Sequence, residues 1–493
     1  MKKYFFIVII GLLALGSCKK WLDITPKSQV ASDDLFQTEE GFEEALNGVY
    51  MRCGQPDLYG GELTFGFLDV MAQNYTLSTI IDPLHYLQTQ KFNFKDAYFI
   101  SRKNNIWDGI YNAIVNVNLI LAHIDQQKHI FTGNNYSLIK GEALALRGYL
   151  HFDIFRMFGS GPDNAGKKVG IPYVTTYSNK VTVTSSPGDV IKKVLEDLNA
   201  AKEMLESVDP IRTSSYIVGY PGGDSSTENA SPALFLQNRR NRLNYYAVCG
   251  ELARVYLYEG DKTDALSNAS EVIDSHKFPW TNQADFINID PATQDRVLYK
   301  ELIFGWYIPW EAQDLKNRFQ SGTAGLYASP SDIQTIYETN GTGGEDLRYK
   351  EWFQVGIDGN MLFQKYKRNP NGTEDDPAAN LYPLTAPALR LSEMYYIAAE
   401  CSYDANPAKA LDYLNEVRRH RGMGQPLNVS DKNEFINELV KEARKELYGE
   451  GQIFYMYKRL NKSITGQSGS LIPAGDNIFI IPMPNDEIEF GKR

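Results

Sequence analysis

Apolar residues recur every three or four positions through most of this chain, a spacing that puts them on one face of a helix and predicts a mostly α protein. The pattern places helices over residues 38–52, 103–126, 138–158 and 187–207. Thr38 is suited to cap the first, because its hydroxyl can accept from an unpaired amide there, and Glu39 and Glu40 suit the positive end of the helix dipole. In the third, Leu144, Tyr149, Phe152, Phe155 and Phe158 share a face that stops at Gly159. Residues 209–237 are rich in Ser, Gly and Pro and read as an exposed excursion.

A repeat follows at an offset of 145 residues. Ala253, Ala265, Leu266, Ala269 and Val272 correspond to Ala398, Ala410, Leu411, Leu414 and Val417. Each set reads as a helical hairpin of the tetratricopeptide kind, with small Ala residues where two helices approach and a break at Gly260-Asp261 or Asn406-Pro407. Between the copies, residues 278–372 interrupt the helices. Leu302 to Tyr307 is strand-like there, and Asn340-Gly341 and Asp358-Gly359 are turn dipeptides. Helices resume at Pro387, a long charged one covers residues 432–461, and residues 479–482 read as extended.

The first residues determine where the chain works. Lys2 and Lys3 precede a 12-residue uncharged run, residues 4–15, with the flanks of a secretory signal and too short to span a bilayer. Leu15-Gly16-Ser17-Cys18 resembles the bacterial lipobox, so residues 1–17 read as a signal peptide and Cys18 as a lipidation site. Several acyl chains anchor stably where one is marginal. Residues 18–37 then read as anchor and tether, 38–237 and 238–493 as two halves of one compact unit, with a loop excursion at about 278–386. Removing Lys2 and Lys3 takes the formal charge from −11 to −13; with no basic run to track phosphates, nucleic acid is excluded as a partner. Cys53, Cys249 and Cys401 lie far apart without metal-ligand or redox spacing, and Cys249 and Cys401 sit on apolar stripes, so no disulfide framework, metal site or cofactor is indicated.

The residues together resemble the RagB/SusD family along essentially the whole chain. In the first half the resemblance rests on Trp21-Leu22-Asp23 with Pro26, Ala145-Leu146-Arg147 in a helix ending at Phe158-Gly159, and Gly170-Ile171-Pro172. In the second it rests on Arg390-Leu391-Ser392-Glu393-Met394-Tyr395, Ala399-Glu400, the run from Ala410 to Arg418, that from Glu442 to Gly451, and Ile481-Pro482 with Glu487. The resemblance implies a scaffold of tetratricopeptide-like helical hairpins with long irregular ligand-binding loops and a few short strands. It implies an outer-membrane lipoprotein acting as a lid on a SusC-like TonB-dependent transporter, to which it delivers glycans or, in some members, peptides. Catalysis is not part of that role.

A sugar site needs flat apolar faces beside planar polar groups. Two non-helical regions offer the mixture: Asp69, Gln73, Asn74, Tyr75 and Tyr86 in the first, and Trp280, Trp306, Tyr307, Trp310, Arg318 and Phe319 in the second. Trp306 alternates within the strand-like run and reads as core, whereas Trp310 follows Pro309 in a loop. Glu142, Arg147, Glu400, Arg418, Glu446 and Arg459 read as ion pairs between packed helices, and His151 as a packed side chain. The rival readings are a peptide-binding member of the family, a glycoside hydrolase, which needs two carboxyls about 5 to 10 Å apart, and a pure adaptor. The long 278–372 excursion is hard to explain in an adaptor.

Overall fold

The computed structural model describes residues 34–162, 166, 168–221, 225–369 and 380–491. The signal segment, Cys18 and the tether as far as residue 33 lie outside the described residues. The longer helices are α1 (Glu39–Cys53), α2 (Ala97–Ile124), α3 (Asn135–Phe158), α4 (Pro187–Glu206), α5 (Tyr245–Glu259), α6 (Lys262–Asp274), α7 (Ala312–Phe319), α8 (Pro330–Tyr337), α9 (Leu391–Ser402), α10 (Pro407–His420), α11 (Lys432–Glu446) and α12 (Ile453–Arg459). Consecutive members stack in series. α1 packs on α2, α2 on α3, α3 on α4, α4 on α5, α5 on α6, α6 on α9 and α9 on α10.

Local chemistry sets the ends. The Thr38 side chain accepts from the Gly41 amide, and that of Ser186 from the Asp189 amide ahead of Pro187. α3 stops at Gly159, and its last carbonyls are capped from afar. Lys458 Nζ donates to the carbonyls of Arg156 at 2.6 Å and Gly159 at 2.7 Å, a cation at the negative end of the helix. The 145-residue repeat is seen in space as the α5–α6 and α9–α10 hairpins. Ala253, Ala265, Ala398 and Ala410 are all fully buried where the helices meet.

The structure corrects four expectations. α2 begins at Ala97 rather than at 103, because the Asp96 carboxylate accepts from the Tyr98 and Phe99 amides. The stretch that follows Pro387 is still strand: β5 (Thr385–Arg390) runs antiparallel to β1 (Leu302–Tyr307), with irregularities flanking Phe304. The long C-terminal helix is two, since Gly449 and Gly451, at φ +75° and +72°, break it between α11 and α12. The segment at 479–482 is extended only after a short helix at Asp476–Phe479. Within the excursion lie α7, α8 and a small sheet in the order β2 (Tyr327–Ala328), β4 (Met361–Phe363), β3 (Phe353–Val355).

A buried ion-pair network joins this excursion to the helices. Glu446, on α11 and completely enclosed, accepts from Arg390 at 2.6 Å, Arg421 at 2.7 Å and Arg348 at 2.9 Å. Arg421 also holds Glu301 at 2.5 Å, Arg348 holds Asp346 and Glu442, and Arg390 holds Glu450. Burial opposes ionisation of Glu446, but the three guanidiniums outweigh it and hold its carboxyl well below the usual range. Lys445, Arg348 and Arg418 likewise bring Glu442 from 4.5 down to about 2. The polar helix residues Glu142, Arg147, Glu400, Arg418 and Arg459 also form ion pairs inside the fold, as their sequence suggested.

Glu446→Gln leaves three arginines facing a neutral group, so it lowers stability by about 3–5 kcal/mol, read as a fall in the urea midpoint. The carboxyl of Glu442 is depressed on folding. Its contribution is therefore complete above the unfolded value of 4.5 and is lost as pH falls toward about 2. Thermal midpoints of the wild type fall across that window, and a Glu442→Gln protein loses less there.

Candidate functional site

β1 sets the site by simple alternation. Successive side chains of a strand point to opposite faces, so Trp306 turns inward and Tyr307 outward. Trp306 is 1% exposed and stacks on Tyr59 at 4.4 Å between ring centroids, while Tyr307 is 47% exposed. The chain then turns through Pro309–Glu311, which sends Glu311 inside and leaves Trp310 40% exposed. The two outward rings stand edge to face, 6.4 Å apart at 80°.

What lies under Trp310 is the end of α1. Gly54 caps that helix, and a Cβ there would sit 3.1 Å from the Trp310 ring and 3.2 Å from the Tyr307 carbonyl oxygen. The buried carboxyl of Glu311 hydrogen-bonds with the Trp310 side chain. Burial, then the neighbouring Asp314, pushes that carboxyl up to about 7 against the pull of Arg318.

Two lobes of a cleft meet at Tyr307. One, of about 470 Å³, runs between Trp310, Trp306, Tyr50, Met51 and Arg242; the other, of about 420 Å³, runs along Pro309, Tyr382, Leu384, Arg368 and Asn380. Asn238 and Asn241 line both. A turn of alternating anchors presents them. Arg239 is buried against Glu142 at 2.5 Å and Asp209 at 3.0 Å, Arg240 against Glu228 at 2.5 Å, and Arg242 against Glu142 at 3.1 Å. Asn238 sits in the left-handed region at φ 48°, a conformation Asn tolerates better than most residues.

Of the residues singled out in the sequence, the structure brings together Tyr307 and Trp310, with Trp306 below them. The early-loop candidates are corrected. Asp69 and Asn74 are fully buried and bonded to each other at 2.5 Å, and the second oxygen of Asp69 accepts from the Gly451 amide. Burial pushes the Asp69 carboxyl up to about 7. The Gln73 side chain donates to the Gln90 carbonyl, and Arg444 takes both Asn74 Oδ1 and the Gln73 carbonyl. Tyr75 is enclosed against Tyr448. Arg318 is also internal, held by Asp314 at 2.5 Å and the Tyr86 hydroxyl at 2.6 Å, and Phe319 is core. Trp280 stacks on His420 at 4.5 Å beneath Arg421, away from the cleft lining. These residues are polar or aromatic because they tie loops to helices.

His151 is packed rather than reactive. Its Nδ1 donates to the Arg147 carbonyl while Nε2 accepts from the Val174 amide, which requires the neutral ring, and burial lowers its pKa to about 3. Cys53, Cys249 and Cys401 are free and buried. Among the described residues no group of His, Cys, Asp or Glu is arranged to hold a metal ion, and no helix is long and apolar enough to cross a membrane.

Residues 20–213 match a SusD-like family described as "starch-binding associating with outer membrane", and residues 304–478 match the SusD family that includes RagB. The chain belongs to the SusD/RagB family. Two SusD-like proteins of Formosa agariphila are 23% and 21% identical to it over 93% and 91% of this chain, and over 91% and 88% of their own lengths. Among solved structures, a SusD superfamily protein of Bacteroides thetaiotaomicron superposes with a TM-score of 0.70 at 21% identity, covering 92% of this chain and 98% of its own. A SusD-like carbohydrate binding protein of Bacteroides vulgatus gives 0.69 at 18%, covering 92% and 96%. The serial hairpins of this SusD-like chain are therefore the family fold.

Replacing Gly54 by Ala crowds Trp310 from below. A crystal structure of the variant should show the indole displaced by a few tenths of an ångström with β1 unmoved; an unmoved ring would mean that α1 does not set its height.

Proposed function

We propose that this protein is an outer-membrane lipoprotein, anchored through Cys18 and facing outward, which binds oligosaccharides in the Tyr307–Trp310 cleft. It hands them to a SusC-like TonB-dependent transporter without altering them. The observation that carries the binding step is the pair of exposed, mutually perpendicular rings above a cleft lined by amides. Ring faces cover the C–H side of a pyranose, and Asn and Gln groups both donate to and accept from its hydroxyls. Asn47, Gln237, Asn238 and Asn241 supply such groups beside Trp310, and Asn229 beside Tyr307. The volume suits a few sugar units, within the range of small-molecule sites.

Binding is favoured over hydrolysis by the same lining. A two-carboxylate glycosidase needs acids facing the bond it cleaves, and the described residues lining both lobes include no Asp or Glu. Membership of a family of binding proteins agrees with that reading. Delivery to a transporter and the lipid anchor rest on the family resemblance and on the Leu15-Gly16-Ser17-Cys18 sequence.

Calorimetry of the purified full-length protein against a panel of oligosaccharides tests the binding step. Saturable binding is expected, with Trp310→Ala weakening it at least tenfold, about 1.4 kcal/mol. Affinity unchanged by both Trp310→Ala and Tyr307→Ala would remove this cleft as the site, and released product would reject a binding-only role.

A further inference from the structure

The lobe beside Trp310 contains a group that the fold itself leaves unsatisfied. Trp306 lines that lobe and is 1% exposed, and its indole Nε1 has no acceptor among the described residues. The rings packed on it turn their polar ends elsewhere: the Tyr50 hydroxyl donates to Glu142 at 2.9 Å and that of Tyr59 to Asp153 at 2.7 Å, while Phe304 has none. Two side chains of the same lining are apolar and open to solvent, Met51 at 57% and Leu234 at 81%. Side-chain amides complete it. Gln237 uses its nitrogen on the Ser231 carbonyl at 2.7 Å and so keeps its oxygen as an acceptor, whereas Arg242 is engaged by Glu142 and Asn47.

An unpaired buried donor is costly to keep, so a ligand acceptor placed there gains more than it would in water. The indole N–H can only donate. A sugar hydroxyl set against it brings a hydrogen of its own, which would have to be accommodated among aromatic rings. The carbonyl end of an acetamido group brings none. Its oxygen only accepts, and it stands further from the pyranose ring than a hydroxyl oxygen does, so it can reach a recessed donor. The acetamido N–H needs one acceptor, which a side-chain amide oxygen supplies. Its methyl needs an apolar surface, and Met51 and Leu234 offer one that otherwise faces water.

We infer that the Trp310 lobe takes an N-acetylhexosamine, with the acetamido oxygen on the Trp306 indole N–H, the methyl against Met51 and Leu234, and the pyranose face on Trp310. This rests on the saccharide reading of the same cleft. Trp306 then has two roles: its ring packs the core, and its N–H reads the substituent of the sugar. Peptides carry the same amide group, but the exposed rings of Tyr307 and Trp310 favour a sugar, which presents a flat C–H face on the same unit as its acetamido group.

Calorimetry of the purified full-length protein against matched pairs tests the assignment. Chito-oligosaccharides and cello-oligosaccharides share one backbone and differ in the C2 substituent, and N-acetyllactosamine differs from lactose in the same way. Malto- and xylo-oligosaccharides and an N-acetylated trialanine amide complete the panel. In at least one pair the acetamido member is expected to bind about tenfold tighter, equivalent to about 1.4 kcal/mol. Trp306→Phe keeps an aromatic ring and removes the N–H, and Leu234→Ser removes apolar surface at an exposed position; each should cut the margin to about threefold or less. Thermal midpoints report whether the variants are folded. No margin in either pair, or a margin that survives Trp306→Phe (Leu234→Ser where the former does not fold), overturns the acetamido site and leaves the saccharide cleft standing. Failure of every sugar, or tighter binding of the peptide than of any sugar, rejects the saccharide reading itself, and this inference with it.

Discussion

A carboxylate that is completely enclosed and faces three arginines constrains everything built around it. Glu446 cannot exchange its partners for water, so each guanidinium must arrive in place before the interior can close. The three come from distant parts of the chain. Arg348 lies in the excursion, Arg390 at the end of β5 and Arg421 just beyond α10, and Arg421 in turn holds Glu301, the residue before β1. Such a cluster adds little net stability compared with a well-packed apolar core, because desolvation offsets much of the attraction. What it supplies is a single allowed arrangement. Since Leu302 pairs with Arg390 across β1 and β5, fixing Arg390 and Glu301 fixes the register of β1. That register decides which of Trp306 and Tyr307 faces outward, as a slip by one residue exchanges the two faces.

The other wall of the cleft is held by a second device of the same kind. Arg239, Arg240 and Arg242 reach Glu142, Asp209 and Glu228, so the turn between them is fixed at three points while Asn238 and Asn241 line the opening. Glu142 belongs to α3 in the middle of the helical stack, and Tyr50 of α1 donates to the same carboxylate at 2.9 Å. Helix stack, turn and strand therefore meet through a few buried charges. A site assembled from loops gains from such anchoring, since positional precision comes from rigid elements and supporting contacts.

How far the sequence reveals this depends on whether the cause is local. The cap at Thr38, the stop at Gly159 and the Ala-rich hairpins were legible because each involves residues within a few positions of one another, or a strict periodicity. The break at Gly449 and Gly451 was not, because a charged helical pattern runs across it and only the positive φ values reveal it. The Pro387–Arg390 part of the strand Thr385–Arg390 read as helix because its side chains are buried on both faces and no alternation survives. At the site, Tyr307 and Trp310 could be picked out: one ends an alternating strand and the other follows a proline. Asp69, Gln73, Asn74 and Tyr75 misled, because a polar residue in a loop looks the same whether it meets solvent or an arginine 370 residues away, as Asn74 meets Arg444. Asn238 and Asn241 were passed over just beyond the stretch 209–237 that read as an exposed excursion. The density of arginine in Asn238-Arg239-Arg240-Asn241-Arg242 was the available signal, since so many guanidiniums together need buried acids to receive them.

The same accounting bears on the use of net charge. Many acids of this chain are not on its surface: Glu142, Asp209, Glu228, Glu301, Glu442, Glu446 and Glu450 are all buried, each against arginine or lysine. Their charges are matched within a few ångströms and present almost no field to a ligand. Screening limits the reach of the excess that remains. A formal charge of −11 thus describes how the molecule behaves in bulk, while what a ligand meets is set by the handful of groups that line one cleft. Among the described residues those groups are amides, aromatic rings, apolar side chains and two arginines, while the buried acids hold the scaffold that positions them.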